Sequence, residues 1–339
     1  MRIYGAIGAL ALLLAASPSA AYGDFGTAGR SHRMGRAYAS FLAGYLEYRS
    51  GNLDAALQWY EKAVDAGGND PDILYEIASI QVKKGRLSDA RKTLAKALAE
   101  DPGHTRSRYL LAGILGASGE RDKAIGEYER VIREDPDNDE AYLHLATLLA
   151  EGGQVARAEA VLREQIARDP GSYLGLYYLG RLEASQRKYQ EALADFDKAL
   201  AIAPGFEPAL LDAGAVLEIL DRSAEAEERY REALRLSPEN AVVRERLGRL
   251  LVREKKIDQA VGQYEELKKF SPTSTEVRSK LGLLYLEQDR FDDAIDEFTF
   301  VLRQEPANHQ VRFFLGTAYE EKGASAGIRR NASIASGIA

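Results

Sequence analysis

The chain contains no cysteine. That excludes disulfides, thiolate metal sites and lipid attachment to a cysteine. Only four histidines occur, His32, His104, His144 and His309, and they fall in separate segments with no metal-ligand or nucleophile–base spacing. Positive charge is not in excess either. The 45 Lys and Arg stand against 52 Asp and Glu, a formal net charge of −7, so no global field favours nucleic acid or an anionic membrane. Proline is scarce, ten in 339 residues. Yet seven of the ten, Pro102, Pro136, Pro170, Pro204, Pro238, Pro272 and Pro306, are each 34 residues from the next. A strict period of that size means one supersecondary unit copied along the chain, which is a solenoid with its function on its surfaces.

Long apolar runs are confined to the beginning. Arg2 precedes an apolar run from Ile3 to Ala16, followed by Pro18 and small residues (SPSAAYG). This is the layout of a secretory signal, expected over 1–23, with cleavage after Ala21 or Gly23. The run is short for a bilayer span, which makes an uncleaved anchor the weaker alternative. After cleavage no integral membrane segment is expected, and the chain is expected to be exported, periplasmic or peripheral to the cell envelope. Export without disulfides points to bacteria. Residues 24–36 (DFGTAGRSHRMGR) are Gly-rich and basic without apolar periodicity, and are expected to form a flexible leader.

The prolines set a register of eight repeats, 37–70, 71–104, 105–138, 139–172, 173–206, 207–240, 241–274 and 275–308, with a half repeat from 309 to about 323. Each reads as two short helices. In 275–308, Val277, Leu281, Leu284 and Tyr285 recur at helical spacing, a QDR turn interrupts, and Phe291, Ala294, Ile295, Phe298 and Leu302 resume it. Gly51, Gly85, Gly119 and Gly153 occupy one turn position in the first four repeats, where a left-handed residue can end the first helix. Proline stops the second helix, and residues such as Asp139 and Thr275 offer caps for the next.

These residues resemble the tetratricopeptide repeat family over 37 to about 320. The family pattern has a large residue at position 4, Leu at 7, Gly or Ala at 8, a large residue at 11, Ala at 20, an aromatic at 24, Ala at 27 and Pro at 32. The repeat 173–206 supplies Leu176, Leu179, Gly180, Ala192, Phe196, Ala199 and Pro204, and position 20 is alanine in all eight repeats. Small residues at 8 and 20 let paired helices approach, and position 24 fills the gap between them. The resemblance implies an all-α, right-handed superhelical solenoid of antiparallel helix pairs, eight full repeats plus one half repeat, over 37–323. Some positions depart: Gly68 replaces the first proline, Glu47 and Gln81 sit at position 11, and Gln165 replaces alanine at 27. After the ninth first helix the sequence ASAGIRRNASIASGIA has no second-helix pattern. Residues 324–339 are therefore expected to be a disordered tail or the mark of a truncated repeat.

Catalytic patterns are absent. Ser185 and Lys188 have a Ser-x-x-Lys spacing but lie on a turn without partner motifs. Asp135, Asp137 and Asp139 alternate as in a calcium loop, yet Glu140 and Ala146 stand where the glycine and the bidentate glutamate belong. No catalytic, metal or cofactor site is expected.

In the family, positions 2, 5, 6, 9, 12 and 13 of the first helices line a concave groove. By register this groove is aromatic at first, with Tyr38, Phe41, Tyr45 and Tyr48, then Tyr75, Tyr109, Tyr177 and Tyr178. Such tyrosines suit a peptide or a sugar face, or else fill inter-repeat interfaces. Further on Arg246, Arg249 and Arg253 form one stripe, with Lys280 on the matching face of the next repeat. The stripe either holds anions or is neutralised by Glu245, Glu276 and Glu287. No repeat has Asn at position 6 or 9, so the family's two-carboxylate clamp is missing. The resemblance implies a non-enzymatic scaffold that binds a partner protein or peptide in its groove, in envelope assembly, secretion or polysaccharide export. The alternative is a module whose groove tyrosines stack on a carbohydrate polymer during export.

Overall fold

The computed structural model describes the backbone of residues 25–335 and the side chains of 33–324; the expected signal segment 1–23 lies outside the described residues. The described chain is all-α and falls into two compact units, 1–136 and 137–339. The first contains α1 (Phe25–Arg49), α2 (Leu53–Gly67), α3 (Pro71–Lys83), α4 (Leu87–Glu100), α5 (Thr105–Ala117) and α6 (Arg121–Glu134). The second contains α7 (Asp139–Glu151), α8 (Val155–Arg168), α9 (Tyr173–Ser185), α10 (Tyr189–Ile202), α11 (Glu207–Ile219), α12 (Ser223–Leu236), α13 (Ala241–Arg253), α14 (Ile257–Phe270), α15 (Thr275–Glu287), α16 (Phe291–Gln304) and α17 (His309–Ala335). From α3 onward every odd-numbered helix begins at a repeat start read from the prolines. Its cap is the residue before that start: Asn138 and Ser274 accept from the backbone N–H of Ala141 and Val277, where Asp139 and Thr275 were the expected caps. Both of those are already the first helical residue.

The helical stretch is longer than expected at both ends. α1 begins at Phe25, so the segment expected as a flexible leader is helical from there on. Ala37 packs against Gly67, which fixes the later turns, and extending an existing helix adds a hydrogen bond for each residue ordered. α17 likewise continues to Ala335 through residues expected to be a disordered tail. That segment contains no proline to stop it.

Within each hairpin the turn is closed by a left-handed residue. Gly51, Gly85, Gly119 and Gly153 have φ of +82°, +72°, +77° and +76°, the geometry that favours glycine. Repeats five to eight keep the geometry without the glycine: Arg187, Asp221, Lys255 and Asp289 have φ of 63°, 58°, 56° and 58°. A side chain there crowds the following carbonyl at a cost of about 1–2 kcal/mol. Lys255→Gly is therefore expected to stabilise the second unit by about 1 kcal/mol. A urea midpoint that stays put or falls would contradict this reading of the turn.

Helices pair through a reciprocal size rule at positions 8 and 24. Gly44, Gly180, Gly214, Gly248 and Gly282 face Tyr60, Phe196, Tyr230, Tyr264 and Phe298, and a Cβ on any of these glycines would come within 2.5–2.9 Å of the ring. Ala78 and Ala146 instead accompany the smaller Leu94 and Leu162. Ala112 with Tyr128 is the exception. The alanines at position 20 are fully buried in all eight repeats, as the expected close approach requires.

Polar contacts hold the arginines at position 4 and the departing glutamine at position 27. Arg108, Arg244, Arg278 and Arg312 stand at position 4, and each guanidinium donates to the carbonyl of the proline six residues earlier. Arg108 also pairs with Glu127 at 2.8 Å and Glu134 at 3.1 Å, and Arg278 with Glu297 at 2.7 Å. The arginine stem supplies the apolar bulk while its head ties loop to second helix. Gln165 is buried and donates to Asp139 and Ser172, both at 3.1 Å. Gly175 gives it room, because a Cβ there would lie 2.9 Å from Oε1.

Candidate partner-binding groove

In the first unit, α1 leaves Tyr38 and Tyr45 exposed. Tyr48 receives a hydrogen bond from Lys83, whose ammonium also lies 4.4 Å from the ring centre. Tyr75 is covered by Arg106, 4.0 Å from its ring centre. That arginine is held in turn by Asp72 and Glu76, both at 3.3 Å. Tyr109 sets its ring edge-on to Tyr128 at 5.6 Å. Aromatic area is present here, but of these rings only Tyr38 and Tyr45 are exposed.

In the second unit the two adjacent tyrosines of α9 part company. Tyr177 is only 8% exposed, packed among Phe196, Phe206 and Tyr178. Its hydroxyl donates to Asp212 at 3.0 Å. Burial, with the nearby Asp212 charge, pushes its phenol up to about 12. Tyr177 thus fills the interface between repeats. Tyr178 is half-buried and lines a depression of about 240 Å³ with Ala146, Ala150, Glu151 and Arg181. The alanines leave space where longer side chains would close the surface.

The polar groups of this depression are only partly engaged within the protein. Thr147 and Ser185 spend their protons on the carbonyls of Leu143 and Leu182, so toward a ligand they only accept. Glu151 has no ion-pair partner among the described residues. Arg181 is held loosely, 3.8 Å from Asp212 and with its guanidinium 5.7 Å from the Tyr177 ring centre.

Further along, the expected cationic stripe is largely neutralised within the protein. Arg253 pairs with Glu218 at 3.1 Å, Arg249 lies 3.8 Å from Glu245, and Lys280 bridges Glu245 at 3.2 Å and Glu276 at 2.8 Å. Burial opposes the Lys280 charge, but Glu276 and Glu245 outweigh it and raise its pKa; Lys280 in turn lowers that of Glu276. Arg246 turns to the buried Tyr230 hydroxyl, which donates to Glu218 at 2.6 Å. Glu245 and Glu276 act as expected. Glu218, which the sequence reading missed, takes the place assigned to Glu287.

A recurring offset explains these pairs. Tyr48–Lys83, Tyr177–Asp212, Glu218–Arg253 and Glu245–Lys280 are each 35 residues apart. One residue beyond the 34-residue period is the spacing at which neighbouring first helices meet along the groove, and it is a usable sequence signal for lateral partners.

Hairpins of this geometry, in register and lined by first helices, define a helical-repeat protein of the protein-binding type. The chain belongs to the tetratricopeptide repeat family, whose models match residues 47–114, 115–177 and 220–284, residues 9–71 and 279–327, and residues 173–206. Its architecture is that of a protein–protein interaction scaffold. Among solved structures it is similar to a tetratricopeptide repeat protein from Parabacteroides merdae, 20% identical over 74% of this chain and 98% of that one, with a TM-score of 0.50. It is also similar to pilF of Pseudomonas aeruginosa, 21% identical over 64% of this chain and 95% of that one, with a TM-score of 0.51. No curated protein sequence matches the chain. No helix among the described residues is long and apolar enough to cross a membrane.

Proposed function

We propose that the chain is an exported, non-enzymatic scaffold that holds an extended segment of a partner protein on the first-helix faces of its second unit. Tyr178, Arg181 and Glu151 make the principal contacts, and Arg249 extends the track. The observation that carries this is the depression between α7 and α9, which combines an apolar floor with an acid that lacks a partner and an arginine only loosely held. A segment that fits presents an apolar side chain to Ala146, Ala150 and Tyr178, a basic residue to Glu151 and an acidic one to Arg181. Export rests on the sequence of residues 1–23, and with it a setting in envelope assembly, secretion or polysaccharide export. Stacking on a glycan has less to support it, since Arg106 lies over the ring of Tyr75 and Tyr177 is buried.

The expected outcome of Tyr178→Ala combined with Glu151→Lys is a loss of at least about tenfold in partner recovery on affinity purification. Glu228→Lys, an exposed change on the second helix α12, leaves recovery intact. Equal recovery from the groove variant and the unaltered chain would contradict the assignment.

A further inference from the structure

Large apolar side chains reach water in clusters on α1 and α17. On α1, Met34 is 64% and Leu46 65% exposed, with Tyr38, Leu42 and Tyr45 also open. Met34, Tyr38, Leu42 and Tyr45 recur at i, i+4, i+8 and i+11, a single helical stripe. A different face of α1, carrying Ala37 and Gly44, packs on α2 at Gly67 and Tyr60. α1 is therefore apolar on two faces, and α2 covers one. Beside the open stripe lies a mostly apolar cavity of about 140 Å³ walled by Met34, Ala37, Tyr38, Phe41 and Ile73, with Asp70 also lining it, its carboxylate taken up by the backbone N–H groups of Asp72 and Ile73.

On α17, Phe313 is 69% and Tyr319 57% exposed. Gly316 holds position 8 of the ninth repeat. At the five other glycines of that position a ring from the following helix fills the space, whereas at Gly316 nothing among the described residues lies within 4 Å. Residues 324–335 do not fill it, because α17 runs straight on instead of folding back. By register they would place Ile328 and Ala332 where alanine and an aromatic belong.

Charge complements shape at these two faces. Arg33 and Arg36 on α1 are exposed and have no ion-pair partner among the described residues, and the same holds for Glu320 and Glu321 on α17. A protruding ring with two acids about two turns further along its helix, and a mostly apolar hole with two arginines on the helix that walls it, are a complementary pair. We infer that two copies of this chain associate head to tail, with Phe313 of one entering the α1 cavity of the other and Glu320 and Glu321 facing Arg33 and Arg36. The two surfaces differ, so the contact is heterologous and each copy offers one of each. The inference is independent of the Tyr178 depression, which stays open, but it gives Tyr38 to a second copy.

Sedimentation velocity of the full chain tests it. The unaltered chain is expected to associate with rising concentration, and less so at high salt. Met34→Glu and Phe313→Glu, both at exposed positions, each weaken association at least about tenfold. An equimolar mixture of the two variants restores it as a one-to-one dimer and nothing larger, because each variant retains the end the other lacks. Circular dichroism verifies folding, and Arg33→Glu with Arg36→Glu replaces Met34→Glu if that variant does not fold. An unaltered chain that stays monomeric, a single variant that still associates, or a mixture that stays monomeric would each overturn the inference.

Discussion

Phe298→Ala is expected to cost the second unit about 3–5 kcal/mol, the range for emptying a fully packed aromatic site. The ring is fully buried and stacks on Phe314 at 6.1 Å. It also fills the space left by Gly282, whose Cβ would lie 2.6 Å from it. The reciprocal change, Gly282→Ala, overpacks the same place and is expected to cost about 1–3 kcal/mol. The size rule makes a sharper forecast for the pair. Ala with Leu is a native combination at Ala78 with Leu94 and at Ala146 with Leu162. In a Phe298→Leu background, Gly282→Ala should therefore cost much less than it does alone. Urea unfolding of the four chains gives a coupling energy, expected to exceed about 1 kcal/mol in favour of the double variant. Additive effects would show that the two positions do not sense each other and that the hairpins are held by something else.

Glu183→Gln is expected to change how stability depends on pH. Glu183 stands at position 11 of the fifth repeat, its side chain 3% exposed. One carboxylate oxygen meets Arg163 at 3.3 Å, while the other has no hydrogen-bond partner among the described residues. Burial and then the neighbouring Asp195 charge push its carboxyl up to about 7, against the attraction of Arg163; Glu159 and Glu191 add to the rise. Because the folded chain prefers the protonated form, the contribution of this group is most favourable below the ordinary carboxylate range. It is lost progressively as pH rises from there to about 7. The loss is on the order of 3 kcal/mol by pH 8. Glutamine stays neutral throughout. The variant is expected to be the more stable chain at pH 8, with the difference shrinking toward pH 5. A difference that is constant between pH 5 and pH 8 would show that Glu183 is solvated or paired in the folded chain.

The fold was legible because the hairpin imposes residue sizes at fixed places. Ala56 and its seven equivalents, together with the spaced prolines, leave no other period. The extents of α1 and α17 were not legible. The glycines of 24–36 and the small residues of 324–339 suggest irregular chain, and only contact such as Ala37 on Gly67 shows where a helix is nucleated. The groove was legible as a set of first-helix positions but not as an accessible surface. Tyr177 and Tyr178 are adjacent and identical in type, and what separates them is Asp212, which lies 35 residues beyond Tyr177. The pairing of the arginine stripe within the protein was hidden for the same reason. Its counter-charge, Glu218, comes from the preceding repeat and is invisible to a scan of one helix. Glu183 gave no signal beyond a polar residue where the pattern asks for a large one.

We propose that a partner protein lies on the first-helix faces of the second unit at Tyr178. A photoreactive amino acid placed at position 178 in intact cells, with one at position 228 as control, tests it most directly. A discrete protein adduct from 178 and none from 228 is the predicted result, and mass spectrometry of that adduct would identify the partner. Adducts from 228 alone, or none from 178, would contradict the claim and place the binding surface elsewhere on the repeats.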